Sequence, residues 1–234
     1  MIRRSAVVAA AASLLALSSC ATFNRNDVAA RVGSHSLSSA GARALITPDD
    51  QHTTGDLLRA QMTAWIKLDV VDEQKAKAQY DKGLAGSQSV CLAAIPVAAI
   101  ADTAPVLSAL QSGMSFADAA RQYSANQALA TGGGIVLAPD GNECMPPSGL
   151  AQSVADALKT TPVGKPVAAD LGTFSAVLLL RPYSDLSFQA RGVVAAASVS
   201  ELELASLLAG AHIYVDPRYG RWSAESLSVV PLTS

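Results

Sequence analysis

Cys20, Cys91 and Cys144, with His35, His52 and His212, are the side chains of this 234-residue sequence with the widest choice of chemistry. A thiol can be acylated, oxidised to a disulfide or used as a metal ligand, and each outcome needs different surroundings. A metal site needs clustered Cys, His or carboxylate ligands at short spacing. The histidines lie far apart and no pair sits at ligand spacing with a cysteine, so neither metal nor cofactor is expected. No nucleophile elbow, P-loop, dinucleotide fingerprint or metal-ligand helix appears. Gly132-Gly133-Gly134 has the composition of a phosphate loop but no Lys follows it, and it reads as a tight turn before a strand.

The amino terminus decides the first cysteine. Arg3-Arg4 precedes an apolar run from Ala6 to Leu17, which has the proportions of a signal-peptide core and is short for a bilayer span. It ends Leu17-Ser18-Ser19-Cys20, which resembles the bacterial lipobox: a branched apolar residue, two small residues and the cysteine that takes the lipid. A cleaved signal peptide with a chance cysteine is the alternative. Residues 1–19 are thus read as a lipoprotein signal peptide and 20–27 as a polar tether, with Cys20 lipidated. Each buried methylene of the acyl chains contributes about 0.8 kcal/mol to anchoring. Outside the cytoplasm the two remaining cysteines, Cys91 and Cys144, favour a disulfide over a pair of buried free thiols.

Composition narrows the class further. Half the residues are hydrophobic but only 5% are aromatic, which points to a core of Ala, Leu and Val carried on helices. A net charge of −2 leaves no basic footprint for nucleic acid.

The elements that must position these residues follow from periodicity. Val28–Val32 alternates like a strand, Gly33-Ser34 reads as a turn, and a short helix is expected from Ala40 to Leu45. Leu57, Leu58, Met62, Trp65 and Ile66 lie at helical spacing from Thr54 onward, and Asp56 sits in the first turn, where its charge suits the helix dipole. A polar helix is expected from Glu73 to Leu84. Val90–Val97 is an apolar strand interrupted by Pro96, which lacks a ladder donor and requires an edge or a bulge. Helices are expected over 101–112 and 116–124, another up to Thr160, and an apolar strand over 177–180. Residues 186–208 read as helix-forming, with Gly210 placed to end them, followed by a strand at Ala211–Val215 and a chain reversal at Pro217.

From Val90 to Arg181 the order of elements resembles the parvulin type of peptidyl-prolyl isomerase. Gly113-Met114-Ser115-Phe116-Ala117-Asp118-Ala119-Ala120-Arg121-Gln122-Tyr123-Ser124 is similar to that family's Gly-x-x-Phe-x-x-Ala-x-x-x-Ser element. The chain ends resemble SurA-like and PrsA-like foldase lipoproteins. Val28-Ala29-Ala30-Arg31-Val32-Gly33 leads into helices, and Val215-Asp216-Pro217-Arg218-Tyr219-Gly220-Arg221-Trp222 is similar to the end of actinobacterial SurA-type proteins. The resemblance implies an α+β fold. Residues 28–88 and 184–234 would form a helical chaperone-like domain, and residues 89–183 an inserted parvulin-like domain with a small, mostly antiparallel sheet. It also implies that Cys91 faces Cys144.

The same resemblance implies a lost active site. Active parvulins carry two histidines on the sheet beneath the substrate proline. Ala94 stands at the first of these positions, and no histidine lies near Phe174–Val177. No catalytic residue is therefore assigned. The expected function is a lipid-anchored extracytoplasmic chaperone or foldase-like protein that binds unfolded or secreted polypeptides, with Leu57, Met62, Trp65, Tyr219 and Trp222 as candidate client-binding residues. A divergent active isomerase and an assembly lipoprotein with one fixed envelope partner are the alternatives. Replacing Cys20 with Ala is expected to release the protein from the membrane fraction or leave it unprocessed, as fractionation and intact mass would show; full retention of a correctly processed variant would refute lipidation.

Overall fold

The computed structural model describes residues 27–46 and 52–232; Cys20, with the signal peptide and most of the tether, lies outside them. The first strand, β1 (Val28–Val32), turns at Gly33 into β2 (His35–Ser38). Gly33 has φ of +54°, a conformation glycine adopts without a Cβ penalty. Ser38 then caps helix α1 (Ser39–Ala44), its hydroxyl accepting from Gly41 N–H. On its other edge β1 pairs antiparallel with β7 (Ile213–Val215), in the register Ala30 to Val215 and Val32 to Ile213. Both ends of the described chain thus meet in one sheet, ordered β2-β1-β7.

Helix α2 (Thr54–Val70) begins at Thr53, whose hydroxyl accepts from Asp56 N–H. Leu58, Met62 and Ile66 are buried along one side of it, at helical spacing. They join Ala29, Val32, Leu37, Val215 and Val229 in one core, with Ala195 of α8 (Phe188–Ala197) and Leu204 and Leu208 of α9 (Glu201–Gly210). Each such large apolar side chain contributes roughly 1.5–3 kcal/mol when fully removed from water. Helix α3 (Glu73–Tyr80) is capped by Asp72 and packs on α8.

Between the two chain ends lies a four-stranded antiparallel sheet ordered β4-β3-β6-β5, formed by β3 (Val90–Val97), β4 (Cys144–Met145), β5 (Pro166–Asp170) and β6 (Ser175–Leu180). On one face Ile95, Val97 and Val177 pack with Val106 of α4 (Thr103–Gln111) and Ala119 and Ala120 of α5 (Phe116–Tyr123). On the other, Leu92, Ala94, Ala176 and Leu178 pack with Leu158 of α7 (Gln152–Leu158). A short α6 (Gln127–Thr131) leads into the triple-glycine turn, where Gly133 and Gly134 have positive φ and Ile135 then bridges to Ala93. Pro96 sits where β4 has already ended. Its nitrogen points away from β6, to the side where its carbonyl accepts from Ala125 N–H, so the missing donor breaks no ladder bond.

Several elements depart from the periodicity. The helix-forming stretch 186–208 is two helices, α8 and α9, bent by 111°. The break is chemical: the Ser198 hydroxyl donates back to the Ala195 carbonyl, and Ser200 caps α9 by accepting from Glu203 N–H. The polar helix expected to reach Leu84 stops at Tyr80, because Gly83 takes φ of +71° in a 3₁₀ turn. After the turn at Pro217 comes a hairpin, β8 (Arg221–Ser223) with β9 (Ser228–Val230), which packs on α2. No single helix among the described residues is long and apolar enough to cross a membrane.

Gly192 marks the closest approach of α2 and α8. A Cβ there would lie 2.7 Å from both Cα and Cβ of Ala64. In an open helix Gly→Ala stabilises by about 1 kcal/mol. Here overpacking, at about 1–3 kcal/mol, outweighs that gain. Gly192→Ala is therefore expected to lower the urea midpoint of unfolding, where propensity alone would raise it.

Candidate functional site

Two regions of the molecule bear on function, and they differ in access to solvent. The first is the sheet around Ala94. Ala94 lies opposite Leu178 in the β3–β6 ladder and is 7% exposed. Around it Val136, Leu150 and Val154 add to the apolar cluster beneath α7. The Gly134 carbonyl accepts from Ala94 N–H, and a Cβ on Gly134 would lie 2.9 Å from the Phe116 ring, which packs on the other face of the sheet. His35 pairs with Asp69 at 2.9 Å, and His52 and His212 also lie outside this sheet. Among the described residues, the cluster packed around Ala94 on this face is hydrocarbon, with no side-chain proton donor or acceptor in it.

Cys91 and Cys144 are directly opposite each other in the β3–β4 pairing and are joined by a disulfide. The bond is buried against Tyr80, Tyr183, Ala190 and Val194. Polar ties surround it. Tyr80 donates to the Arg181 carbonyl at 2.7 Å, Arg181 pairs with Glu143 at 2.6 Å, and Arg191 and the Tyr183 hydroxyl both reach Glu73 at 3.1 Å. Burial pushes the Tyr80 phenol up to about 12 and also raises Tyr183, so both act as permanent donors.

The candidate client-binding residues do not form an open cradle. Met62 is fully buried in the core made by the chain ends, which corrects its assignment as a contact residue: no ligand can reach it without unfolding α2. Trp65, Tyr219 and Trp222 are half-buried against that same core, and Leu57 is half-buried on α2. The apolar stripe of α2 is spent on packing.

An accessible concavity runs along a different side of α2. It is a groove of about 440 Å³ between α2, α8 and β9. From α2 it takes Asp56, Arg59, Ala60, Thr63, Ala64 and Lys67; from α8, Gln189, Gly192 and Val193. Residues 228–231 and Asn142 complete the rim. Its size lies in the ordinary range of ligand clefts, roughly 300–1,000 Å³. The floor is small because Ala64 and Gly192 touch. Thr63 fastens the β9 wall: its hydroxyl accepts from Val229 N–H at 2.9 Å and donates to the Arg59 carbonyl at 2.8 Å.

The charges of the groove are unequally satisfied. The Thr53 hydroxyl and Arg59, each 2.6 Å away, hold the Asp56 carboxyl below the usual carboxylate range. Arg59 also reaches the Tyr219 carbonyl at 3.4 Å. Lys67 has no ion pair or hydrogen bond from its ammonium among the described residues, and burial pulls its pKa down. The Gln189 side-chain amide is likewise unpartnered there. Sequence periodicity missed this groove, although Ala60, Thr63, Ala64 and Lys67 at i, i+3, i+4 and i+7 do mark a face of small and polar residues.

No protein-family model and no curated protein matches the chain. Solved structures do. The chain is similar to PrsA from Bacillus subtilis, at 16% identity over 66% of this chain and 60% of that one, with a TM-score of 0.36. It is also similar to the peptidylprolyl isomerase PrsA of Bacillus anthracis, at 16% identity, 65% and 68% coverage and a TM-score of 0.34. The foldase protein PrsA of Streptococcus pneumoniae gives 13% identity, 66% and 58% coverage and a TM-score of 0.35. The chain spans about three fifths of the first of these proteins. At these values the likeness carries no weight for function, which rests on the chain's own geometry.

Lys67 gives a titration test of the groove. A lysine with a depressed folded pKa binds fewer protons folded than unfolded, so stability rises with pH between that depressed value and the unfolded value near 10.5. The stability difference between wild type and Lys67→Met is expected to be flat at neutral pH and to grow in favour of wild type across that alkaline window. NMR of the lysine ε-carbons should show Lys67 titrating below the exposed lysines.

Proposed function

We propose that this protein is a lipid-anchored extracytoplasmic chaperone that holds unfolded or secreted polypeptides without isomerising them. In this reading residues 28–88 and 184–234 make the client-holding domain, residues 89–183 are a parvulin-like insert kept as a scaffold, and Cys20 carries the anchor. The observation that carries it is a contrast between two surfaces. The sheet face at Ala94 is filled with hydrocarbon, while a groove of about 440 Å³ lies along α2. Prolyl isomerisation needs a surface that stabilises the twisted imide more than the planar one. Ala94, Leu178 and their neighbours offer no such polar group and no room for a proline ring, so the barrier of about 18–20 kcal/mol stays in place. Holding a chain needs only shape, apolar floor and a few orienting polar groups, all present in the groove.

The test is a paired assay. Aggregation of a denatured test protein is expected to be suppressed, and Ala60→Trp, which fills the groove from its α2 wall, should weaken that suppression severalfold while thermal unfolding still shows a folded protein. Isomerisation of an Ala-Pro peptide should proceed at the buffer rate. A rate enhancement lost on mutating around Ala94 would install the enzyme alternative. Failure in both assays would favour a single fixed envelope partner.

A further inference from the structure

The groove along α2 contains a positive charge that no carboxylate among the described residues answers. The titratable residues lining it are Asp56, Arg59 and Lys67. Asp56 and Arg59 neutralise each other at one end. Lys67 stands at the other, partly desolvated and without a carboxylate; the neighbouring acid on α2, Asp69, is taken by His35 at 2.9 Å. A protein gains nothing in stability from such a lysine, since burial opposes its charged form. A bound carboxylate would offset that cost.

We propose that the groove recognises an acidic side chain within an extended polypeptide segment, with the carboxylate seated on the Lys67 ammonium and the flanking backbone lying over Ala60 and Ala64. This deepens, and rests on, the client-holding role. Length supports an extended occupant. From Asp56 to Lys67 the wall of α2 spans about 16 Å at 1.5 Å per residue. An extended chain at about 3.3 Å per residue covers that distance with about five residues. Polarity supports it too, because the unpartnered Gln189 amide on the α8 wall offers a donor and an acceptor to a passing backbone. The assignment is to an internal side chain and not to a chain end because an unfolded chain presents many internal acids but one terminal carboxylate.

The test compares two pentapeptides, Ala-Val-Glu-Val-Ala and Ala-Val-Gln-Val-Ala, both acetylated and amidated, binding to the mature protein. The Glu peptide is expected to bind about tenfold more tightly, the worth of one hydrogen bond to a charged group. The preference should vanish in Lys67→Met and shrink with added salt. On the wild-type protein, where no variant can misfold, a carbodiimide should join the Glu peptide to Lys67 in preference to the exposed Lys75 and Lys82. Equal binding of the two peptides, or crosslinks confined to exposed lysines, would overturn the inference. A Gln peptide with a free carboxyl terminus that matches the Glu peptide and crosslinks at Lys67 would overturn the internal-acid assignment. Aggregation suppression is measured in parallel: if it persists while the preference is missing, this inference alone fails, and if it is absent the client-holding reading falls as well.

Discussion

At Gly192 the main chain of α8 lies against Ala64 of α2 with no side chain between them. That contact sets the height of α8 over the rest of the molecule. It lets Ala195 reach the core built by the chain ends, while Ala190 and Val194, on another side of the same helix, cover the disulfide. It also holds Arg191 at ion-pair distance from Glu73 of α3. A methyl group at this point would lift α8 and disturb all three at once, because well-packed interiors transmit displacement instead of absorbing it. The groove is the other result of the same closeness: two helices that touch at small residues leave a channel beside the contact, and β9, fastened through Thr63, walls it.

The four-stranded sheet makes a complementary case. In β3 the small side chain of Ala94 is packed into the apolar cluster beneath α7. A histidine there would have to be buried among Val136, Leu150 and Leu178, with desolvation opposing its charge and its ring nitrogens in need of partners. Alanine removes the requirement and lets α7 settle on the sheet. Small size at this position and close packing of α7 on the sheet go together.

Much of the fold was readable from local chemistry. The run Leu58, Met62, Ile66 declares a helix, Ser38 and Thr53 announce two helix starts, and Pro96 restricts what can lie beside β3. The bend at Ser198–Ser200 was hidden because Leu, Val and Ala continue a helical pattern on both sides, and only serine hydroxyls bonding to the backbone end it. The β8–β9 hairpin was hidden because its partner strand is short and its stability comes from α2. The site was the least legible. Apolar residues at helical spacing, such as Met62, say that a face is covered but not by what. Many of the covering residues, from Ala195 to Val229, lie more than a hundred positions away. Conversely, the groove is lined by alanine, glycine, threonine and lysine, which look unremarkable until two helices bring them together.

The pairing of β1 with β7 has a temporal side. Ala30 waits for Val215, and Gly33 for the carbonyl of His212, across nearly the whole length of the chain. A polypeptide made from its amino end presents β1 early and β7 late, so the three-stranded sheet is completed by one of the last described segments to arrive. The four-stranded sheet between them draws on a continuous stretch and can close earlier. During that interval α2 has its apolar stripe uncovered, with Leu58, Met62 and Ile66 facing water. Helix α2 is then, for a time, an apolar surface in need of a cover, and the carboxyl-terminal segment is the cover the chain carries with it.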